Sequence, residues 1–282
     1  MHRFFKKLFR ALANHDPKYY DMYQDASESR FAQLYLSRIR EHCAQAGIRP
    51  PARILDAGCQ TGRLLVPLAR EGYQLTGIDT SGFALRRAGV TLKKNGAKAT
   101  LIRGNIGKVL GPQHHQRYDV VICAEVLYLC QDFRTILKAL AASLRPGGLL
   151  CISHRPQAYY LIEALRSKNQ KAAEFVLTHP EGSVHGGSYF NWHTDEEVRS
   201  LYEELGFKSL SLYPIDRFAW LGGLDVGRLD ERTHAEWLKL ELSSKSEGGT
   251  CARYLFVVAT TSSSSCGVSP ELDPLQSMAS PA

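Results

Sequence analysis

The sequence predicts an α/β domain: a mainly parallel sheet with helices on both faces. Three observations carry this. Residues 53–81, RILDAGCQTGRLLVPLAREGYQLTGIDTS, read as strand, glycine turn, helix and strand. Tyr118–Cys123, YDVVIC, is a largely apolar run of the kind needed by a central strand buried on both faces. Stripes of helical period, such as Phe133 to Leu144, lie between the strand-like runs. A strand, a crossover helix and a second strand in so short a span form a βαβ unit with parallel strands.

Composition bounds the class. The chain has 282 residues, 44% apolar and 22% charged, which suits one soluble globular domain with attachments. The formal charge of +7 is spread along the chain, so no nucleic-acid site stands out. The seven cysteines, at 43, 59, 123, 130, 151, 251 and 266, form no C-x-x-C pair. They read as reduced thiols of a cytoplasmic protein. No apolar run approaches the roughly 18 residues of a transmembrane helix.

Residues 1–15 form a basic amphipathic segment. Within residues 1–13, Phe4, Phe5, Leu8, Phe9, Ala11 and Leu12 fall on one side of a helical wheel. Arg3, Lys6, Lys7 and Arg10 fall on the other, which suits contact with a membrane surface. The alternative is a helix packed on the domain. The globular domain is expected over 16–260. Asp16-Pro17 reads as a helix start, Tyr19, Tyr20 and Tyr23 follow, and a longer helix runs from about Ser29 to Gln45. Its stripe is Phe31, Leu34, Tyr35, Ile39 and Cys43, and Gly47 ends it.

The first strand, Arg53 to Leu55, ends at Asp56. Gly58 and Gly62 bracket the turn, Leu64, Leu65 and Leu68 mark a helix, and Gln74 to Ile78 is the second strand, ending at Asp79. Ligands of parallel sheets sit at the carboxyl ends of the strands. An acid about 20 residues beyond a glycine turn suits ribose hydroxyls, of NAD or of S-adenosylmethionine alike. Asp56 discriminates: a carboxylate at the strand end repels a pyrophosphate. It favours the cationic amino group and sulfonium of S-adenosylmethionine. The G-x-G-x-x-G spacing is also absent.

ILDAGCQTG followed by GIDTS resembles the class I S-adenosylmethionine-dependent methyltransferases, of small-molecule type. Asp56, Gly58 and Gly62 match the acid and the first and third glycines of their D-x-G-x-G-x-G motif. Gln60 stands where the middle glycine is usual; it fits if its φ is negative and its side chain points outward. The resemblance implies a seven-stranded Rossmann-like sheet in the order 3-2-1-4-5-7-6, with the last strand antiparallel. It implies S-adenosylmethionine as cofactor, held by Asp56, Gly58, Gln60, Gly62, Asp79 and Thr80. Further along it adds Asn105, Ile106, Ala124 and Glu125. The tyrosines at 19, 20 and 23 then lie near the sulfonium, or pack against the sheet edge.

The remaining elements follow in order. A helix from Gly82 to about Asn95 precedes a third strand, Lys98 to Arg103. Asn105 is read either as an acceptor for the adenine amino group or as a turn residue. The fourth strand, Tyr118 to Cys123, leads into Ala124-Glu125-Val126-Leu127-Tyr128, and LRPGG precedes a fifth strand, Leu149 to Ser153.

Residues 154–193 read as an insertion that shapes the acceptor pocket, with a helix from Tyr159 to about Ala173 and a Gly- and His-rich loop. His154, His185 and His193 are candidate general bases, since neutral imidazole takes a proton near pH 7. Their alternative is a loop histidine held by a backbone hydrogen bond. Their spacing does not suit a metal. Thr194 caps a further helix, and Lys208 to Tyr213 is strand six. Pro214 to Gly227 is an aromatic excursion, Thr233 to Leu242 looks helical, and Cys251 to Thr260 is the last strand. Residues 261–282, rich in Ser and Pro, read as a disordered tail.

The implied activity is methyl transfer to an O, N, S or C atom of a small, hydrophobic or aromatic molecule. Two alternatives stand beside it: a non-catalytic S-adenosylmethionine-binding module, and a membrane-surface interaction protein.

Overall fold

A computed structural model describes residues 21–185, 188–244 and 250–261. The readings at 1–20, including the basic segment, the Asp16-Pro17 start and Tyr19 and Tyr20, lie outside the described residues, as does the tail beyond Thr261.

Helix α1 (Ala26–Gln45) starts three residues before the expected point, because the Asp25 carboxylate caps it by accepting from the Glu28 amide at 3.0 Å. Its stripe of Leu34, Tyr35, Ile39 and Cys43 is buried as the spacing requires. Strand β1 (Arg53–Ala57), helix α2 (Leu65–Arg70) and strand β2 (Gln74–Asp79) form the βαβ unit, with β1 and β2 parallel. Ser81 caps α3 (Gly82–Lys94), which leads to β3 (Ala99–Arg103). After the short α4 (Ile106–Val109) comes β4 (Tyr118–Cys123), every residue of which is buried. Helix α5 (Phe133–Ser143) lays Ile136, Leu137 and Leu140 on the sheet. Strand β5 (Leu144–His154) begins earlier than expected, because the RPGG segment stays in the ladder as a register shift against β4.

The insertion departs from its reading. One helix was expected and two form, α6 (Gln157–Arg166) and α7 (Gln170–Thr178). Lys168 takes a φ of +56° and Asn169 caps the second helix, so the chain turns there. The Gly- and His-rich loop is a β-hairpin, β6 (Glu181–His185) and β7 (Ser188–Asn191). Thr194 and Glu197 close a capping box at α8 (Asp195–Glu203). Strand β8 (Ser209–Ile215), α9 (Phe218–Gly222), α10 (Glu231–Ser243) and β9 (Tyr254–Thr260) complete the described fold.

The main sheet has seven strands in the order β3-β2-β1-β4-β5-β9-β8. With the hairpin set aside, this is the expected 3-2-1-4-5-7-6. Strand β9 runs antiparallel to both β5 and β8. Two apolar layers flank the sheet. One joins α1 and α2 to residues such as Ile54, Val120 and Phe256; the other joins α5 and α8 to Leu55, Val121 and Val257. Successive strand residues alternate between the layers, as a pleated sheet covered on both faces demands.

Candidate active site

The carboxyl ends of β2, β1 and β4 lie side by side and open into a cleft of about 210 Å³. Asp79, Asp56 and Glu125 stand at these three ends in that order. Asp56, Gly58, Gln60, Asp79 and Thr80 line the cleft on one side. Ile106, Ala124 and Glu125 line it on the other. Eight of the ten residues expected to hold the cofactor are thus brought together.

The turn after β1 is fixed by its backbone. The amides of Gly58 and Cys59 both donate to the Ile78 carbonyl, at 2.7 and 3.1 Å. Gly58 has a φ of +86°, and a Cβ there would stand 2.3 Å from Val126 Cγ2, on the far wall. Only glycine lets the two walls approach this closely. Gln60 departs from expectation: its φ is +46°, not negative. It adopts the left-handed conformation a glycine would take. The Gln60 side chain folds back, its Oε1 accepting from the Thr61 amide at 2.5 Å.

The carboxylates differ in what holds them. Asp79 Oδ2 accepts from the Gln60 amide at 2.9 Å and Oδ1 from the Ser81 amide at 2.8 Å. Burial raises its pKa, opposed by these amides. Asp56 is 3% exposed, and its Oδ2 is buried without a hydrogen-bond partner. Burial pushes Asp56 up to about 7, against the attraction of Arg63.

Glu125 sits at a φ of +62°, and its amide donates to Ser153 Oγ at 2.5 Å. Its carboxylate receives Arg63 Nη2 at 2.7 Å and the Tyr35 hydroxyl at 3.1 Å. Burial alone would raise Glu125, but Arg63 and the Tyr254 hydroxyl outweigh it and hold it below its ordinary value.

Nothing in the local sequence singles out Arg63. It is 6% exposed, lines the cleft, and also pairs with Glu28 at 2.6 Å. A charged residue after a glycine turn looks like a solvated one; only tertiary packing brings Glu28 and Glu125 to it. Met22, one residue before Tyr23, also lines the cleft. Tyr23 packs instead against the apolar layer, with its amide on Thr61 Oγ1 at 3.0 Å.

Other expectations need correction. Gly62 is buried behind the turn, where a Cβ would press on Val66, so it serves packing rather than the cleft wall. Asn105 is exposed and caps α4, its Oδ1 accepting from the Lys108 amide at 3.3 Å. It is the turn residue of the two readings.

His154 and His193 are not at the cleft. His154 is 1% exposed between sheet and helix, its Nε2 3.0 Å from the Tyr202 hydroxyl. His193 is also buried, edge-on to Phe133. Burial, aided by His193, pushes His154 down to about 3; burial pushes His193 down to about 4. Side chains so placed reach no acceptor and attract protons weakly at neutral pH. His185 ends β6, its backbone paired with Ser188 in the hairpin.

The residues present fit S-adenosylmethionine. An amino group of the cofactor would satisfy the orphaned oxygen of Asp56, Asp79 offers carboxylate oxygens to a ribose, and among the described residues Arg63 is the only basic side chain on the cleft wall. The family model described as "Methyltransferase domain" matches residues 28–212. This chain belongs to that methyltransferase family.

The methyltransferase domain is 30% identical over 139 residues to the "Ubiquinone biosynthesis O-methyltransferase" of Rickettsia felis, covering 49% of this chain and 53% of that protein. It is 33% identical over 154 residues to the protein of the same name from Nitrosospira multiformis, covering 51% and 62%. The matched part therefore spans little more than half the length of these relatives. Among solved structures it resembles the 1,6-didemethyltoxoflavin-N1-methyltransferase of Burkholderia thailandensis, crystallised with bound 1,6-didemethyltoxoflavin and S-adenosylhomocysteine. The TM-score is 0.57 at 16% identity, covering 93% of this chain and 90% of that one. That likeness concerns the fold. Among the described residues no helix is long and apolar enough to cross a membrane, and no group of His, Cys, Asp and Glu is arranged to hold a metal.

Proposed function

We propose that this methyltransferase domain transfers the methyl group of S-adenosylmethionine to an oxygen of a small hydrophobic or aromatic molecule. The row of Asp79, Asp56 and Glu125 across three strand ends carries the reading, because it matches a ligand with a sugar at one end and positive charge at the other. The cofactor supplies a methyl already activated by positive sulfur. The chain's part is to hold the acceptor atom roughly 3 Å from that methyl and to exclude water. Met22, Tyr128 and Leu129 give the cleft an apolar rim for such an acceptor. Tyr128 continues into an aromatic cluster, stacked on Phe190 at 6.4 Å and tilted against Tyr254 at 5.9 Å. The names of the curated relatives favour oxygen over nitrogen, sulfur or carbon.

With His154 and His193 buried elsewhere, proton removal from a phenolic acceptor falls to a cleft carboxylate or to solvent. Incubation with methyl-labelled S-adenosylmethionine and a panel of phenols and catechols tests the reading. Label in the organic phase, lost in Asp79→Ala, supports it. Cofactor binding without transfer to any member, or to nitrogen and sulfur analogues, favours a binding module.

We also propose that residues 1–13 bring the domain to a membrane surface, on their basic amphipathic pattern. Flotation with anionic liposomes, with and without those residues, tests this; equal flotation removes it.

A further inference from the structure

We infer that the outer face of α3, with the turn that follows it, is a contact for an anionic membrane surface. The inference draws on the membrane reading of residues 1–13 but names a different surface, and the two are separable by experiment.

Contrary to the even spread expected, positive charge is concentrated in the chain. Residues 80–118 hold eight Lys and Arg and no Asp or Glu. Residues 1–13 hold four Lys and Arg and again no acid. Together they exceed the formal +7 of the whole chain, so the remainder is net acidic. On α3, Arg86, Val90, Lys93 and Lys94 recur at helical spacing, and all four are exposed. Lys98, also exposed, follows in the turn to β3.

These charges are not neutralised by neighbours. Among the described residues Arg86, Lys93, Lys94 and Lys98 form no ion pair. The acid that reaches α3 is Asp21, which takes Arg87 at 2.8 Å. The helix packs on α2, β2 and β3. Their one acid is Asp79, whose two oxygens accept from the Gln60 and Ser81 amides. Elsewhere the exposed Arg40, Arg145, Arg166 and Arg232 each meet a carboxylate. The helix dipole accounts for Lys93 and Lys94 in the last turn, but gives nothing to Arg86 near the start. Protection of an open strand edge accounts for Lys98 beside β3, but not for the helix.

Two observations select a lipid surface over other polyanions. Val90 is 56% exposed amid the cations. Beside it a groove is lined by Leu92, Ala97, Ala99 and Leu101 together with Lys93 and Lys98. Charge interleaved with apolar surface suits headgroups above acyl chains. A nucleic acid would use the charge and leave the apolar part in water. The second observation is where the chain enters. Asp21 is the first described residue and is held by Arg87, so the segment carrying the basic amphipathic pattern joins the domain beside α3. Ser81 and Ala84, at the start of α3, also line the cleft. A domain held by this face would keep its cleft close to the bilayer, the source of a hydrophobic acceptor.

Flotation of the full chain with phosphatidylcholine vesicles, with and without phosphatidylglycerol, tests this. The wild type should bind the anionic vesicles alone and release them at high salt. Each cation near an anionic surface contributes about a fivefold factor. Lys93→Glu, Lys94→Glu and Lys98→Glu together should therefore weaken partitioning at least tenfold, with thermal midpoint and cofactor affinity unchanged. Should that variant not fold, glutamine at the same three positions decides, with a loss of at least fivefold. A parallel full-length variant carries glutamine at Arg3, Lys6, Lys7 and Arg10. Loss in the α3 variant supports the inference, whatever the N-terminal variant does. Loss in the N-terminal variant alone overturns it and leaves the reading of residues 1–13 standing. Equal binding to neutral vesicles, binding to neither kind, or tighter binding to duplex RNA through the same lysines overturns it too.

Discussion

The Gln60 amide donates to the Asp79 carboxylate at 2.9 Å, tying the turn after β1 to the end of β2. One side chain thus shapes the loop that borders the cleft and offers its remaining acceptor capacity to a ligand. Asp79→Asn leaves one acceptor oxygen where two now serve. We expect cofactor affinity to fall at least tenfold, and stability to fall by about 1–3 kcal/mol from the stranded amide. Calorimetry and denaturant titration would separate the two. Unchanged affinity would remove the sugar assignment.

The Gly58 backbone permits contact between the two cleft walls. Gly58→Ala puts a methyl into Val126 at a φ that L-residues avoid. The variant should lose at least ~2 kcal/mol and should bind cofactor weakly even where it folds. Gln60→Gly has the opposite sign. It relieves the left-handed strain of a side-chain-bearing residue, at the expense of unfolded-state entropy and the Thr61 contact. The net change should lie between zero and about +1 kcal/mol. A clear loss of stability would show that the folded-back amide matters more than the backbone.

Asp56 makes cofactor binding sensitive to pH. Its folded pKa of about 7 lies above its unfolded value, so the folded chain holds a proton that the unfolded chain has lost. Stability from this group therefore falls as pH rises from near 4 to about 7. A cationic ligand draws Asp56 into its ionised form, so binding releases a proton below pH 7 and tightens as pH climbs through that value. Titrations at pH 6.5 in two buffers of different ionisation enthalpy would show the release. Asp56→Asn should abolish it.

His154 and His193 act in the other direction. Both have folded pKa values, about 3 and about 4, below the unfolded value. Their contribution is present above the unfolded histidine pKa near 6.5 and is lost as pH falls through that window. Thermal midpoints should drop steadily below pH 6.5. His193→Gln should flatten part of that slope, which a fluorescence melt across pH would reveal.

Arg63→Met leaves Glu28 and Glu125 facing one another without their guanidinium. Breaking such a pair from one side costs about 3–5 kcal/mol. A melt shows this directly, and low pH should partly rescue the variant by protonating the carboxylates.

Local chemistry made most of the fold legible. The Thr194 cap, the buried stripe of α1 and the apolar β4 each state their structure within a few residues, and the glycine turn announces the cleft. What stayed hidden depends on distant partners. The Arg63 pairs join residues 35 and 62 positions apart, and nothing near Arg63 signals burial. His154 ends a strand, which places it at the sheet's carboxyl edge, but only α8 supplies the Tyr202 that encloses it. The hairpin was masked because Gly182, His185 and the neighbouring polar residues lack the apolar alternation of a strand that covers a core. The left-handed backbone at Gln60 has no signal among its neighbours, because the partner of its amide is Asp79, 19 positions along the chain.

Strand β9 lies between β5 and β8 although it follows both in the chain. During synthesis those two strands therefore wait, each with an open edge, until residues 254–260 have emerged and can slot between them. Completion of the sheet is a late, long-range event. A chain halted before Tyr254 would carry the whole cofactor turn yet expose two adhesive flanks. Partial products should thus aggregate rather than accumulate as small working domains.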